Sequence, residues 1–270
     1  ALQNILAFRY SNSLFEPLWN HKYIDKVHIK LLEKGGVDGR GAFYDSVGAL
    51  KDVGQNHVLQ MLALIAMENP KSFDSNIIRR ERAKIFHYLR PITPRNVKAS
   101  VVRGQYDGYR NETGVKTNTQ TETYFRLEAF VDTARWKNVP FFLESGKALA
   151  ESRAEIDIYF KNEDDEEKQN ILTLKIQPDE AIKIRFWVKT PGFEMKVEPK
   201  TLKFKYADFQ SLQVLPDAYE RVLNDAIIGD QTLFTSTEEV QYAWKYITSI
   251  LKNWHSVPLT IYKKGAGDVI

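Results

Sequence analysis

The sequence predicts an α+β fold: a large, mainly antiparallel β-sheet with helices packed on one face. Three observations carry this. The 270 residues are 43% hydrophobic and 12% aromatic, enough for a sizeable packed core and too apolar for disorder. A helix-rich first third gives way, from about residue 99 to residue 206, to apolar residues alternating with polar ones. Strands that follow one another without intervening helices pair antiparallel, which leaves the helices to bury their apolar stripes against one face. A single domain over residues 1–270 is the expectation, and no internal repeat is visible.

The chain opens with Ala1-Leu2-Gln3-Asn4-Ile5-Leu6-Ala7-Phe8, already in an apolar helical rhythm with no capping Ser, Thr, Asp or Asn ahead of it. Helices usually start on such a cap, so this reads as a cut into a longer polypeptide. Val27, Ile29 and Leu31 alternate with His28, Lys30 and Leu32 as a strand, and a turn follows at Gly35-Gly36-Val37-Asp38-Gly39-Arg40-Gly41. The strongest helix is expected over 45–67, with Leu50, Val53, Val58, Met61, Leu62 and Ile65 at helical spacing and Pro70 ending it. A second helix is expected over 77–88, and the polar stretch 107–121 reads as a long loop.

Phe125, Leu127, Ala129 and Val131 alternate as a strand, as do Ile156, Ile158 and Phe160. Further strands are expected over 171–176, 182–188 and 202–206. The acidic run Asn162-Glu163-Asp164-Asp165-Glu166-Glu167 is a solvated hairpin loop. Helices return over 217–228 and 237–254, the second with Val240, Ala243, Trp244, Ile247, Ile250 and Leu251 on one side. The tail after Val257 reads as irregular.

Several function classes fall away. Lys+Arg 38 against Asp+Glu 35 leaves a net charge of +3, too small an imbalance for a nucleic-acid binder. No cysteine is present, which excludes disulfides and thiolate metal sites. No apolar run reaches the roughly 20 residues that span a bilayer, and no secretory leader is visible. A soluble cytosolic protein with no membrane partner is the simplest reading. His21, His28, His57, His87 and His255 lack metal-ligand spacing, so no metal is expected. The turn over 35–41 does not spell G-x-G-x-x-G, and neither a Walker A sequence nor G-x-S-x-G occurs.

The stretch Asp52-Val53-Gly54-Gln55-Asn56-His57 is polar on an otherwise core-like helix. A histidine with an ordinary pKa of about 6.5 suits proton abstraction near neutrality. Periodicity alone favours the other reading, a core histidine satisfied by a backbone carbonyl. Five residues of α-helix turn roughly 140° beyond a full turn, so Asp52 and His57 are not partners within a regular helix.

Longer blocks resolve the choice. Gly39-Arg40-Gly41-Ala42-Phe43-Tyr44-Asp45 and Asp52 to Gln60 together resemble the signature of the glucose-6-phosphate dehydrogenase family. Phe8 to Asn20, Val139 to Leu149 and Leu215-Pro216-Asp217-Ala218-Tyr219-Glu220-Arg221 are similar to further blocks of that family, in the same order, covering residue 1 to about 254. The resemblance implies the C-terminal, substrate-binding domain of an enzyme that oxidises glucose 6-phosphate to the lactone with hydride transfer to NADP. It implies that His57 is the general base, that Asp52 and Glu33 hold sugar hydroxyls, and that Lys147 and Gln177 contact the substrate. Cations for a phosphate and carboxylates or amides for hydroxyls are what a sugar phosphate requires.

The family's R-I-D-H-Y-L-G-K motif, which orients the base and grips the phosphate, would lie just before Ala1, with a nucleotide-binding domain further upstream. Neither lies within these residues, so the chain alone is expected to be catalytically silent. A second, structural NADP binds some members through a basic cluster. Here Arg153 matches, but Ser152, Asp157 and Glu144 stand at expected basic positions, and carboxylates repel a nucleotide phosphate. A structural NADP site is therefore not expected. Self-association through the sheet, as a homodimer or homotetramer, is implied. The competing class is a non-catalytic scaffold or regulatory paralogue, but retaining Asp52, His57 and Lys147 together argues for the enzyme.

Overall fold

A computed structural model describes residues 2–162, 164–208 and 218–269. Helix α1 (Leu2–Ser11) leads into strand β1 (Ile24–Leu32), then α2 (Gly41–Ala49), a π-helical segment (Leu50–Val58) and α3 (Leu59–Ala66). Helices α4 (Ser75–His87) and α5 (Val97–Ser100) precede β2 (Val101–Tyr106). Strands β3 (Tyr124–Ala129), β4 (Phe141–Gly146), β5 (Arg153–Phe160), β6 (Ile171–Gln177), β7 (Ala181–Lys189) and β8 (Val197–Lys205) follow. Helices α6 (Ala218–Ile228) and α7 (Thr237–Leu251) and a last strand β9 (Leu259–Tyr262) complete the order.

The strands form one nine-stranded sheet ordered β8-β7-β6-β5-β1-β4-β3-β2-β9. β1 pairs parallel to β4, and β2 parallel to β9; the other neighbours are antiparallel. The fold is α+β and mainly antiparallel, as expected, with a parallel pair at its centre. Register lines Leu127, Leu143, Ile29, Ile156 and Leu174 across five strands, and all are buried. Burying each such side chain contributes about 1.5–3 kcal/mol. One residue along, on the opposite face, the row reads Arg126, Glu144, Lys30, Glu155, Lys175, with signs alternating strand by strand. Lys30 pairs with Glu155 at 3.6 Å and with Asp157 at 2.8 Å.

Leu59, Met61, Leu62, Ala63, Leu64, Ile65 and Ala66 are all buried, so α3 is apolar on nearly every side, Gln60 being its one polar residue. Such a helix belongs inside a structure, and α1 and α4 pack against it. The π-helical segment touches β1 and β4 on one side and α7 on another.

The structure differs from expectation in several places. The helix expected over 45–67 is not continuous. Gly48, at φ 75°, breaks it, and Leu50–Val58 winds as a π-helix. The buried side of α7 carries Ala243, Tyr246, Ile247 and Ile250, while Val240 and Trp244 are exposed. Its capping box, Ser236 with Glu239, starts the helix where expected. The tail after Val257 is not wholly irregular, because β9 adds to the sheet edge beside β2. Four residues with one buried side chain, Tyr262, leave no alternation to read. The acidic run falls in the β5–β6 connection, with Glu163 outside the described residues. Leu215, Pro216 and Asp217 of the last family-like block also lie outside them.

Candidate active site

Two ends of the fold converge on one place. The C-terminal ends of the parallel strands β1 and β4 supply Glu33 and Lys147. The Glu33 N–H donates to the Gly146 carbonyl at 2.8 Å, and the Leu149 N–H donates back to Glu33 at 3.0 Å. Lys147 is 4% exposed, and its Nζ lies 2.5 Å from Glu33 Oε2. A buried ammonium needs such a partner. The same Nζ stands 5.4 Å from the ring centroid of Tyr44, a buried residue of α2.

Tyr44 joins this pair to the helix beyond it. Burial pushes its phenol well above the ordinary 10.0, and the charges of Glu122, Asp52 and Glu33 push it further. It therefore stays protonated near neutrality, with Asp52 and Glu33 both within electrostatic reach.

Asp52 and His57 lie on the π-helical segment. Its ladder runs i to i+5, as in the Leu59 N–H donating to the Gly54 carbonyl. Residues five apart are thereby brought to neighbouring positions on the helix, which a regular α-helix denies them. π-Helical turns are rare and concentrate at functional sites. Gly54 permits the close approach: a Cβ there would stand 3.0 Å from the Phe125 ring. Asp52 is half-buried, and its carbonyl accepts the Asn56 amide at 2.9 Å. His57 is exposed, with its backbone N–H held by the Asn56 side chain. The core-histidine alternative is overturned, because the imidazole faces outward.

The helix is clamped at both ends. At its start the Glu122 carboxylate accepts the Leu50 N–H at 3.1 Å. At its end Arg9 donates to the carbonyls of Leu64 and Met67 at 2.9 and 3.1 Å. The indoles of Trp19 and Trp136 take the carbonyls of Ile65 and Ala66 at 2.8 and 2.7 Å. Consecutive carbonyls that a helix leaves unpaired are thus all satisfied, and an anion and a cation sit at the dipole ends that favour them.

Gln177 stands apart. It ends β6, exposed, beside Ala154 of β5, so the register puts it at the same end of the sheet as Glu33. Among the described residues, no hydrogen bond or ion pair joins it to Glu33, Asp52, His57 or Lys147. A cleft of about 680 Å³ lined by His21, Lys26, His28, Arg126, Lys137 and Tyr159 contains none of these residues. Tyr44 and Glu122 carried no signal as local sequence, because both act through contacts with distant segments.

The residues at the positions weighed for a second nucleotide are already committed. Glu144 bonds His28 and Tyr124, and Asp157 bonds Lys30 and Thr173. Arg153 lies 3.0 Å from Glu151 and 3.4 Å from Glu155. This set does not fit a nucleotide phosphate.

Residues 6–268 match the family model described as glucose-6-phosphate dehydrogenase, C-terminal domain. This chain belongs to that family. The glucose-6-phosphate 1-dehydrogenase of Borreliella burgdorferi is 40% identical over 98% of the chain, which spans 59% of that relative. The enzyme of Aggregatibacter actinomycetemcomitans is 41% identical over 98% of the chain and is spanned to 56%. A solved glucose-6-phosphate dehydrogenase in complex with its substrate glucose-6-phosphate superposes with TM-score 0.91 at 32% identity, covering 99% of this chain and 57% of the other. The Mycobacterium avium glucose-6-phosphate 1-dehydrogenase gives TM-score 0.85 at 29% identity, covering 98% of this chain and 57% of that one. The chain therefore spans rather more than half the length of these dehydrogenases.

Proposed function

We propose that these 270 residues form the substrate-binding and oligomerisation domain of a cytoplasmic, NADP-dependent glucose-6-phosphate dehydrogenase. The observation that carries the reading is the meeting of Lys147 and Glu33 at one end of the sheet with Tyr44 and the Asp52–His57 segment. A sugar phosphate asks for that combination: a cation, hydroxyl acceptors and a base. His57, exposed on the π-helical segment, takes the proton of the anomeric hydroxyl. Asp52 and Glu33 hold sugar hydroxyls, Lys147 contributes charge, and Gln177 closes the far side. Bound NADP supplies the hydride acceptor and is held mainly by the part of the longer protein outside this chain. The sheet face carrying the alternating charge row is the surface for self-association.

Turnover by the complete gene product tests this: glucose 6-phosphate should drive NADP reduction, and this chain alone should not. His57→Asn should abolish turnover while leaving glucose 6-phosphate binding largely intact. A large rise in KM with little loss of turnover would make His57 a binding residue instead. Sedimentation of the isolated chain should report a dimer or tetramer, and a monomer at high concentration would remove the oligomer reading.

A further inference from the structure

Glu122 has no role in the chemistry above, yet it joins the two halves of the site. Its carboxylate is 5% exposed. One oxygen accepts the Leu50 N–H at 3.1 Å and the other accepts the Trp254 indole N–H at 2.9 Å. Its backbone carbonyl accepts the Ala49 N–H at 3.1 Å. On the helix side, Gly48 makes room: a Cβ there would stand 2.5 Å from Glu122 Oε1. The next residue faces the other way. The Thr123 carbonyl accepts the Lys147 N–H at 2.9 Å, and the Thr123 hydroxyl meets the Tyr262 hydroxyl at 2.9 Å. Tyr262 in turn donates to the Lys147 carbonyl at 2.6 Å. Two adjacent residues therefore hold the helix carrying Asp52 and His57, and the strand end carrying Lys147.

A helix start can be satisfied more cheaply. A local Ser, Thr or Asn takes the same N–H without burying a charge. Burial pushes the Glu122 carboxyl above its ordinary 4.5, despite hydrogen bonds from Leu50 and Trp254 and the charge of Arg103 that oppose it. What a local cap cannot do is fix the helix relative to the sheet. We infer that Glu122 is a positioning residue that sets the placement of the Asp52–His57 segment against the Lys147–Glu33 pair.

Its catalytic consequence rests on the function proposed above, so the test has two independent arms. In the 270-residue chain, Glu122→Ala is compared with Glu122→Gln and wild type by amide hydrogen exchange. The expected result is faster exchange confined to 49–58, with β1 and β4 still protected. Formate should restore protection in Glu122→Ala, since Glu122, Lys51, Thr121 and Trp254 line a cleft of about 310 Å³ through which it can enter. Glu122→Gln, which keeps one acceptor, should fall between the two. In the complete gene product, Glu122→Ala should lower kcat about tenfold or more, with KM for glucose 6-phosphate changed less than about threefold. Exchange rising uniformly over the sheet, no response to formate, or kcat and KM of wild type would each overturn the inference. Absence of turnover in the wild-type product would sink the function alone, because exchange and formate still decide on Glu122.

Discussion

Lys147 Nζ and Glu33 Oε2 lie 2.5 Å apart at the ends of two parallel strands. The ammonium is buried, while the carboxylate side chain keeps 37% of its surface open. The cation is held by the fold and its partner is turned toward solvent, an arrangement suited to receiving a ligand.

Lys147→Met tests the charge apart from the packing. The side chains are similar in length and the stem stays filled, so stability should change by no more than about 1.5 kcal/mol. Glucose 6-phosphate affinity of the complete protein should fall about tenfold or more, in line with a lost charge-assisted contact of about 1.5–3 kcal/mol. Calorimetric titration beside thermal melting checks both, and unchanged affinity would remove Lys147 from the site.

Gly48→Ala should be destructive. A side chain at φ 75° is strained, and the new methyl would meet Glu122 as well. A loss of about 2 kcal/mol or more is expected from the backbone alone. Urea unfolding measures it, and a neutral result would mean that the kink after α2 can relax.

Acid should weaken the sheet through Glu144. Burial alone would raise its carboxyl, but hydrogen bonds from His28 and Tyr124 and the charge of Lys30 bring it below the ordinary 4.5. A depressed folded value means the stabilisation is complete above 4.5 and drains away as pH falls through that lower value. Glu144→Gln should therefore flatten the pH dependence of stability below pH 4.5, as followed by melting at a series of pH values. An unchanged slope would assign the acid sensitivity to other groups.

Arg9→Leu should cost about 3 kcal/mol or more, because it leaves the Leu64 and Met67 carbonyls without their buried donor. Arg9→Lys should recover only part, since an ammonium does not present the guanidinium's fork of donors. Equal melting temperatures for wild type and Arg9→Leu would show that water takes over at those carbonyls.

The strands β1, β3, β5, β6 and β7 and the longer helices were legible because alternation and helical spacing are local, while β2 and β4 do not stand out within the alternating region and β9 lies in a tail that reads as irregular. Ile29, Leu127 and Ile156 announce a buried sheet face, and the helix expected from residue 237 starts there, on a cap at Ser236 that the structure supplies. The π-helix was not legible: Leu50 and Val53 fit α spacing, the five-residue gap from Val53 to Val58 is too little to mark a wider turn, and Gly48 and the contacts with β1, β4 and α7 accompany it only in three dimensions. Asp52, His57, Lys147, Glu33 and Gln177 were named through blocks of similarity, not periodicity. Tyr44 and Glu122 were missed as actors, since a residue whose partners lie far along the chain leaves no mark on its neighbours.

The central strand has a kinetic consequence. β1 is made well before its partners β4 and β5, with His28 and Glu144 separated by 116 positions. During synthesis β1 must wait with both edges bare while the segment up to β4 emerges. Closing so long a loop is entropically slow, and a waiting strand with Val27 and Ile29 uncovered is a place where nascent chains stick to one another. The π-helical segment follows β1 in the chain and touches it in the fold, so it is available to cover that apolar face before β4 arrives.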